Sequence, residues 1–303
     1  MNPTVAPKLT ALQTTPMWTS QGSVTHVSPS GIAVGGLRLS VGDGIVIHSA
    51  NGPRPAEVIA LDDGGAKALL YGDTRGIGRG DAVTLQSDGM SVAISEHLIG
   101  RTINGLGQPI DGLPAAPGEL VHLGAATPSP LDRMRIDTAI PTGVRLIDTF
   151  CTTGRGQRIG IFGGSGVGKS TLLGMMARGT GAELTVLALI GERGREVREF
   201  IEDELGPEGM RNTILVVATS DEPPLVRLRA ALLATRIAEW FSDRGSHVLL
   251  MMDSLTRLAM AQREIGLAAG EPPTARGYTP SVFSLLATLL ERAGPRRHGT
   301  ITA

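Results

Sequence analysis

The run Gly163-Gly164-Ser165-Gly166-Val167-Gly168-Lys169-Ser170 matches the pattern G-x-x-x-x-G-K-[ST]. Glycines so spaced let successive backbone N–H groups turn toward one anion, and a helix starting directly behind them adds the positive end of its dipole. The apolar residues 158–162 predict a strand before the run, and residues 171–176 a helix after it. That context suits a polyphosphate. The Lys169 ammonium would reach the β- and γ-phosphates and the Ser170 hydroxyl would ligate Mg²⁺. Gly163, Gly164, Ser165, Gly166, Val167, Gly168, Lys169, Ser170 and Thr171 are therefore expected to contact the nucleotide, ATP.

Two acidic positions follow. Residues 248–252 are continuously apolar and end on Asp253, which puts a carboxylate at the C-terminal edge of a buried strand. Open α/β sheets bind ligands at that edge, so Asp253 is expected in the Mg²⁺ shell. Gly191-Glu192-Arg193-Gly194-Arg195-Glu196 follows a second apolar run, residues 184–190. A carboxylate there can polarise an attacking water, and the position at the strand end favours Glu192 over Glu196 as that base. Arg257 reads equally as a phosphate contact, a contact to a neighbouring subunit, or a helix-surface arginine.

Elements of two textures must position these groups. Residues 20–92 hold short β-branched or alternating runs, at 45–47, 57–61 and 82–85, separated by Gly42-Asp43-Gly44, Asn51-Gly52-Pro53 and Asp62-Asp63-Gly64-Gly65. Short strands with glycine-rich turns predict a small β-barrel or sandwich. Residues 1–19, with three prolines and no periodicity, read as a flexible arm, and residues 104–141 as a Gly- and Pro-rich linker. From residue 93 onward, apolar runs at 158–162, 184–190, 213–218 and 248–252 alternate with helical stretches. Runs without strict alternation suit parallel strands buried on both faces, so this is an α/β domain. Val226, Ala230, Leu233, Ile237 and Trp240 mark one apolar helix face, and residues 196–205 a shorter acidic helix.

Composition excludes several classes. The 28 Lys and Arg balance 29 Asp and Glu, for a formal net charge of −1, and aromatics are 3%. A nucleic-acid binder would show a basic face with stacking platforms. The lone Cys151 cannot form an intramolecular disulfide, which fits a reducing compartment. No apolar run approaches the ~20 residues of a membrane span. The six histidines lack metal-ligand spacing.

Taken together, these motifs resemble the F1/V1-type rotary ATPases and, within them, the type III protein export ATPases of the flagellar branch. The resemblance rests on Gly163–Ser170 with its continuation Leu172-Leu173-Gly174-Met175-Met176-Ala177-Arg178, on residues 191–200, on Asp253-Ser254-Leu255-Thr256-Arg257, and on Glu271-Pro272-Pro273 through Phe283. It implies a RecA-like P-loop domain with a mainly parallel sheet, preceded by a small N-terminal β-barrel. It makes Glu192 the general base where a non-catalytic subunit carries an amide, and sets Arg193 beside the γ-phosphate. It also implies a homohexamer at the cytoplasmic face of an export gate, peripheral to the membrane. Regulatory and stalk subunits and chaperone–substrate complexes are the implied partners, with no nucleic acid. An injectisome ATPase, a non-catalytic ring subunit and an RNA-translocating terminator-type ATPase are the competing readings. Against the last, Tyr71 is the only aromatic of residues 20–92.

Such proteins continue beyond the strand that opens at Thr300, with an arginine finger, an adenine-packing aromatic and a helical C-terminal domain. The finger is worth about 10³–10⁵ in rate, so the 303-residue chain alone is expected to hydrolyse ATP at no more than a trace rate. Brisk Mg²⁺-dependent turnover, abolished by Lys169→Ala, would overturn that expectation.

Overall fold

Buried side chains recur at every second residue along the N-terminal strands, and the sheet they build closes on itself. The computed structural model describes residues 20–86, 89, 91–164 and 166–303; the expected arm, residues 1–19, lies outside the described residues, as does Ser165. The chain divides into two compact units, one ending at Gly89 and the other running Met90–Ala303.

The first unit is a closed antiparallel barrel of β1 (Gln21–Ser28), β2 (Gly31–Gly35), β3 (Gly44–Ser49), β4 (Gly52–Asp62), β5 (Gly65–Leu70) and β6 (Ala82–Gln86), in the order β1-β2-β5-β4-β3-β6. Ile32 and Val34, Ile45 and Ile47, Ala56 and Val58, and Ala66 and Ala68 are buried pairs two residues apart, one inward face per strand. Gly65, at φ +122°, ends the β4–β5 turn, and a Cβ there would lie 2.4 Å from the Val34 carbonyl oxygen. Only glycine meets both conditions.

In the second unit, β7 (Ser91–Ile94) pairs with β9 (Glu119–His122). The main sheet contains β8 (Thr102–Asn104), β12 (Leu184–Glu192), β13 (Thr213–Thr219), β14 (His247–Asp253), β15 (Gly294–Pro295) and β16 (Thr300–Thr302), in the order β15-β16-β14-β12-β13-β8. All its pairings are parallel except β15 with β16. A two-residue pairing, β10 (Ala139–Ile140) with β11 (Thr153–Gly154), flanks the helix α1 (Arg145–Phe150). The region expected as a linker, residues 104–141, thus contributes β9 and β10 to regular structure.

Every residue of β12 from Leu184 to Gly191 is buried, as both faces are covered. On one face, α2 (Lys169–Gly179) and α3 (Gly194–Glu199) pack with Leu187, Leu189, Leu215, Val217, Leu249 and Met251. The other is spanned by α5 (Pro224–Asp243), which also meets α6 (Leu255–Ala269) and α7 (Pro280–Arg292). α5 is accordingly buried well beyond the single stripe expected for it, at Leu225, Ala231, Ala234, Ala238 and Phe241 as well. Among the described residues no helix is long and apolar enough to cross a membrane.

Two expectations need correction. Residues 158–162 are not a strand. Ile159 N–H donates to Ala303 O at 2.9 Å and Ala303 N–H to Gln157 O at 3.1 Å, and these two bonds do not extend into a ladder over residues 160–162. The helix expected over 196–205 is α3 followed by a π-helical segment, Phe200–Leu205, and the short α4 (Gly206–Met210). Such wide turns are frequent at functional sites.

Candidate functional site

β12 and β14 run parallel, so their ends, Glu192 and Asp253, lie at the same edge of the sheet. The P-loop enters α2 through Gly168, which caps the helix at φ +89°, with Gly166 at φ +76° before it. A Cβ at Gly164, Gly166 or Gly168 would meet nothing within 4 Å, so the loop presents open backbone. Lys169 Nζ donates to the carbonyl oxygens of Gly163 at 2.9 Å and Gly164 at 2.6 Å, across the mouth of the loop. The geometry therefore suits an anion cradled by backbone, with a cation in reach.

A cavity of about 240 Å³ opens beside it, lined by Ser170, Leu189, Glu192, Glu196, Glu199, Phe200, Asp203, Glu204 and Asp253. A larger concavity, about 650 Å³, lies at residues 133–136 and 156–158 and holds none of the expected site residues. Ser170, Glu192 and Asp253 are thus brought together. Thr171 points elsewhere: its hydroxyl donates to Glu204 Oε1 at 2.6 Å. Arg193 is exposed at the start of α3 and pairs with Glu196 at 2.9 Å. Val167 is exposed.

Burial raises the Glu192 carboxyl from 4.5 to about 7, helped by its hydrogen bond to Glu196 and by the charge of Asp253, against the pull of Arg257. Glu196, the acceptor of that bond, is lowered. Burial also raises Asp253, opposed by Lys169 and Arg257. A cation would relieve both half-buried acids, and hard oxygen donors suit Mg²⁺. Among the described residues no group of three or more His, Cys, Asp or Glu converges on one metal position. Mg²⁺ is ordinarily held by one or two carboxylates with substrate phosphates, so Asp253 and the Ser170 hydroxyl fit it.

A stability prediction follows. The folded-state pKa of Glu192 lies above the unfolded value, so its contribution is fully present below about 4.5 and is lost as pH rises through about 7. Glu192→Gln should therefore gain stability relative to the parent at pH 8 compared with pH 5. Melting curves at the two pH values test this, and an unchanged difference would refute it.

Glu199, Asp203 and Glu204 were not singled out by sequence. Their signal was present, since residues 196, 199, 200, 203 and 204 stand at i, i+3, i+4, i+7 and i+8, the spacing of one helix face. Arg257 proves to be paired: Nη1 donates to Gly191 O, and Nε lies 3.4 Å from Glu192 Oε1.

The model of the ATP synthase alpha/beta family, nucleotide-binding domain, matches residues 143–303. The chain is 48% identical over 296 residues to the flagellum-specific ATP synthase of Bacillus subtilis (strain 168), covering 96% of this chain and 68% of that one. It is 48% identical over 285 residues to a type 3 secretion system ATPase of Xanthomonas euvesicatoria, covering 93% and 64%. A solved structure of the assembled ATPase EscN, from the enteropathogenic E. coli type III secretion system, superposes with a TM-score of 0.85 at 45% identity, covering 93% of this chain and 68% of EscN. EscN in complex with its central stalk EscO gives 0.86 at 46% identity, covering 93% and 69%. The chain spans about two thirds of the length of these relatives. A nucleotide cradle, two strand-end carboxylates on one cavity and these likenesses agree: the chain belongs to the ATP synthase alpha/beta family.

Proposed function

We propose that this chain binds ATP with Mg²⁺ and hydrolyses it to ADP and phosphate, as the nucleotide-handling part of a protein that energises flagellar type III export. The observation that carries this reading is the meeting of Ser170, Glu192 and Asp253 on one cavity beside the P-loop. Lys169 exchanges the carbonyls of Gly163 and Gly164 for phosphate oxygens, and Gly163 through Gly168, Ser165 included, supply backbone donors. Asp253 and Ser170 hold the cation. When bound, Mg²⁺ neutralises charge on the phosphate oxygens. Glu192 orients the attacking water and takes its proton, and Arg193 leaves Glu196 to face the γ-phosphate.

The relatives described as an assembled ATPase and as a complex with a central stalk support a ring of copies around a stalk subunit. Export-gate and regulatory subunits and chaperone–substrate complexes complete the reading, which places the protein in the cytoplasm at the base of the flagellum.

Binding of a fluorescent ADP in the presence of Mg²⁺ tests the first step. Lys169→Ala should weaken it by about 1.5–3 kcal/mol, the usual worth of hydrogen bonds to a charged group. Unchanged affinity would remove Lys169 from the site, and the reading with it.

A further inference from the structure

The first turn of α2 carries Lys169 and Ser170, which the nucleotide site needs, and its third residue turns the other way. Thr171 Oγ1 donates to Glu204 Oε1 at 2.6 Å, the length expected for a hydroxyl on an ionised carboxylate. The first bond of the helix runs from Leu172 N–H to Gly168 O, so the N–H groups of residues 169–171 have no acceptor within it. This turn is therefore held by fewer internal bonds than the rest of α2. A contact from a separate element has the most to fix there.

Glu204 belongs to the segment that also bears Glu192. The chain leaves β12 through a bulge at Gly191, between the Ile190–Ala218 and Glu192–Thr219 pairs, and runs through α3 into the π-helical turn Phe200–Leu205. The approach of that turn is built into α2 at Gly174, which stands three residues after Thr171 on the same helix face. Gly174 lies inside the helix, where glycine is less favourable than alanine, so its own conformation does not call for glycine. Its surroundings do. A Cβ there would lie 2.9 Å from both Glu204 Cβ and the Glu204 carbonyl oxygen. The missing side chain lets Glu204 come close enough to reach Thr171.

We propose that Glu204 is a positioning residue for the cation site: through Thr171 it fixes the first turn of α2, and with it the aim of the Ser170 hydroxyl toward Asp253. Gly174 is the necessary counterpart, because a side chain there would hold Glu204 away. The Thr171 hydroxyl touches neither the phosphates nor the cation. The inference rests on the reading of Ser170 and Asp253 as the residues that hold Mg²⁺.

The test uses the whole chain and a fluorescent ADP, titrated once with Mg²⁺ present and once with the metal chelated. The readout is the ratio of the two affinities, the advantage that Mg²⁺ confers. Thr171→Val keeps the branched shape without the hydroxyl. It and Glu204→Ala should each cut the ratio by about 2–10-fold, the worth of one hydrogen bond, with metal-free affinity within about twofold of the parent. The double variant should lose no more than either single one. Thr171→Ser and Glu204→Gln keep the donor and an acceptor, so both should stay close to the parent. Gly174→Ala should reproduce the loss although both bonding groups are intact. Parental ratios in Thr171→Val and Glu204→Ala would overturn the proposal, whatever their melting temperatures. Losses that multiply in the double variant would overturn it too, as would a fall in the metal-free affinity of Thr171→Val, which would make the hydroxyl a phosphate contact. A Glu204→Gln ratio as low as that of Glu204→Ala would assign the effect to charge and end the proposal. Ser170→Ala separates the two levels. If it keeps the parental ratio, the cation assignment itself fails; if it loses the ratio while the Thr171 and Glu204 variants are parental, only this proposal falls.

Discussion

Glu192→Gln is expected to lower phosphate release by about 10²–10⁴-fold, the usual contribution of a positioned general base, while nucleotide affinity stays within about twofold. The substitution is nearly isosteric, so the β12 bulge and the cavity wall should persist. What disappears is the ability to take a proton. Glu196 cannot substitute in place, because it is tied to Arg193 at 2.9 Å and is held low as the acceptor of the Glu192 hydrogen bond. Glu196→Gln is therefore the matched control and should cost far less. Phosphate release by the two variants, alongside the parent, decides the matter. If the Glu196 variant is the slower one, the roles of the two acids are reversed.

The second large effect lies far from the cavity. Glu239 on α5 is fully buried, accepts from Arg292 Nε at 2.8 Å and Nη2 at 2.9 Å, and forms ion pairs with Arg296 at 2.9 Å and Arg236 at 3.3 Å. Arg292 is itself 3% exposed and donates onward to Leu123 O. Glu239→Ala leaves the Arg292 charge buried without a carboxylate, which should cost about 3–5 kcal/mol. Replacing both partners by apolar residues, Glu239→Leu with Arg292→Met, should cost much less, since the desolvation penalty goes with the pair. Denaturant unfolding of the three chains measures both statements. A single-variant loss below about 1 kcal/mol would mean that water or Asp243 compensates. The network binds α5 to α7 and to the connection between β15 and β16, so its loss should also loosen that side of the sheet.

The cradle and the strand-end acids were legible because their signals are local. Glycine spacing, a lysine and an apolar run ending in an acid each need only a few neighbouring residues. The barrel was legible in outline from its turns, yet β1, β2 and β5 were not singled out, since their partners are fixed by closure of the whole sheet. Residues 158–162 carry the composition of a buried strand, but a strand forms only where a neighbour pairs with it along its length, and the pairing here amounts to two bonds between residues 157–159 and Ala303. The π-helical turn at Phe200–Leu205 was invisible because helical periodicity tolerates one extra residue. It brings Glu204 onto Thr171, and a Cβ at Gly174 would lie 2.9 Å from Glu204 Cβ. Arg257 stayed ambiguous because its partners, the Gly191 carbonyl and the Glu192 carboxylate, lie on another element, distant in sequence.

Closure of the barrel also sets a timetable. Gln21 pairs with Thr84, so β1 has no complete set of partners until β6 has been synthesised. At about 5–20 residues per second, the first strand waits several seconds on the ribosome. Pairings this distant in sequence are slow to form, because the intervening chain must be closed before the contact repays it. Until β5 follows, β1 and β2 have only each other, and Val24, Ile32 and Val34 lack the rest of the barrel core. Nascent-chain protection of β1 should therefore appear abruptly once Thr84 clears the exit tunnel, not gradually as each strand emerges.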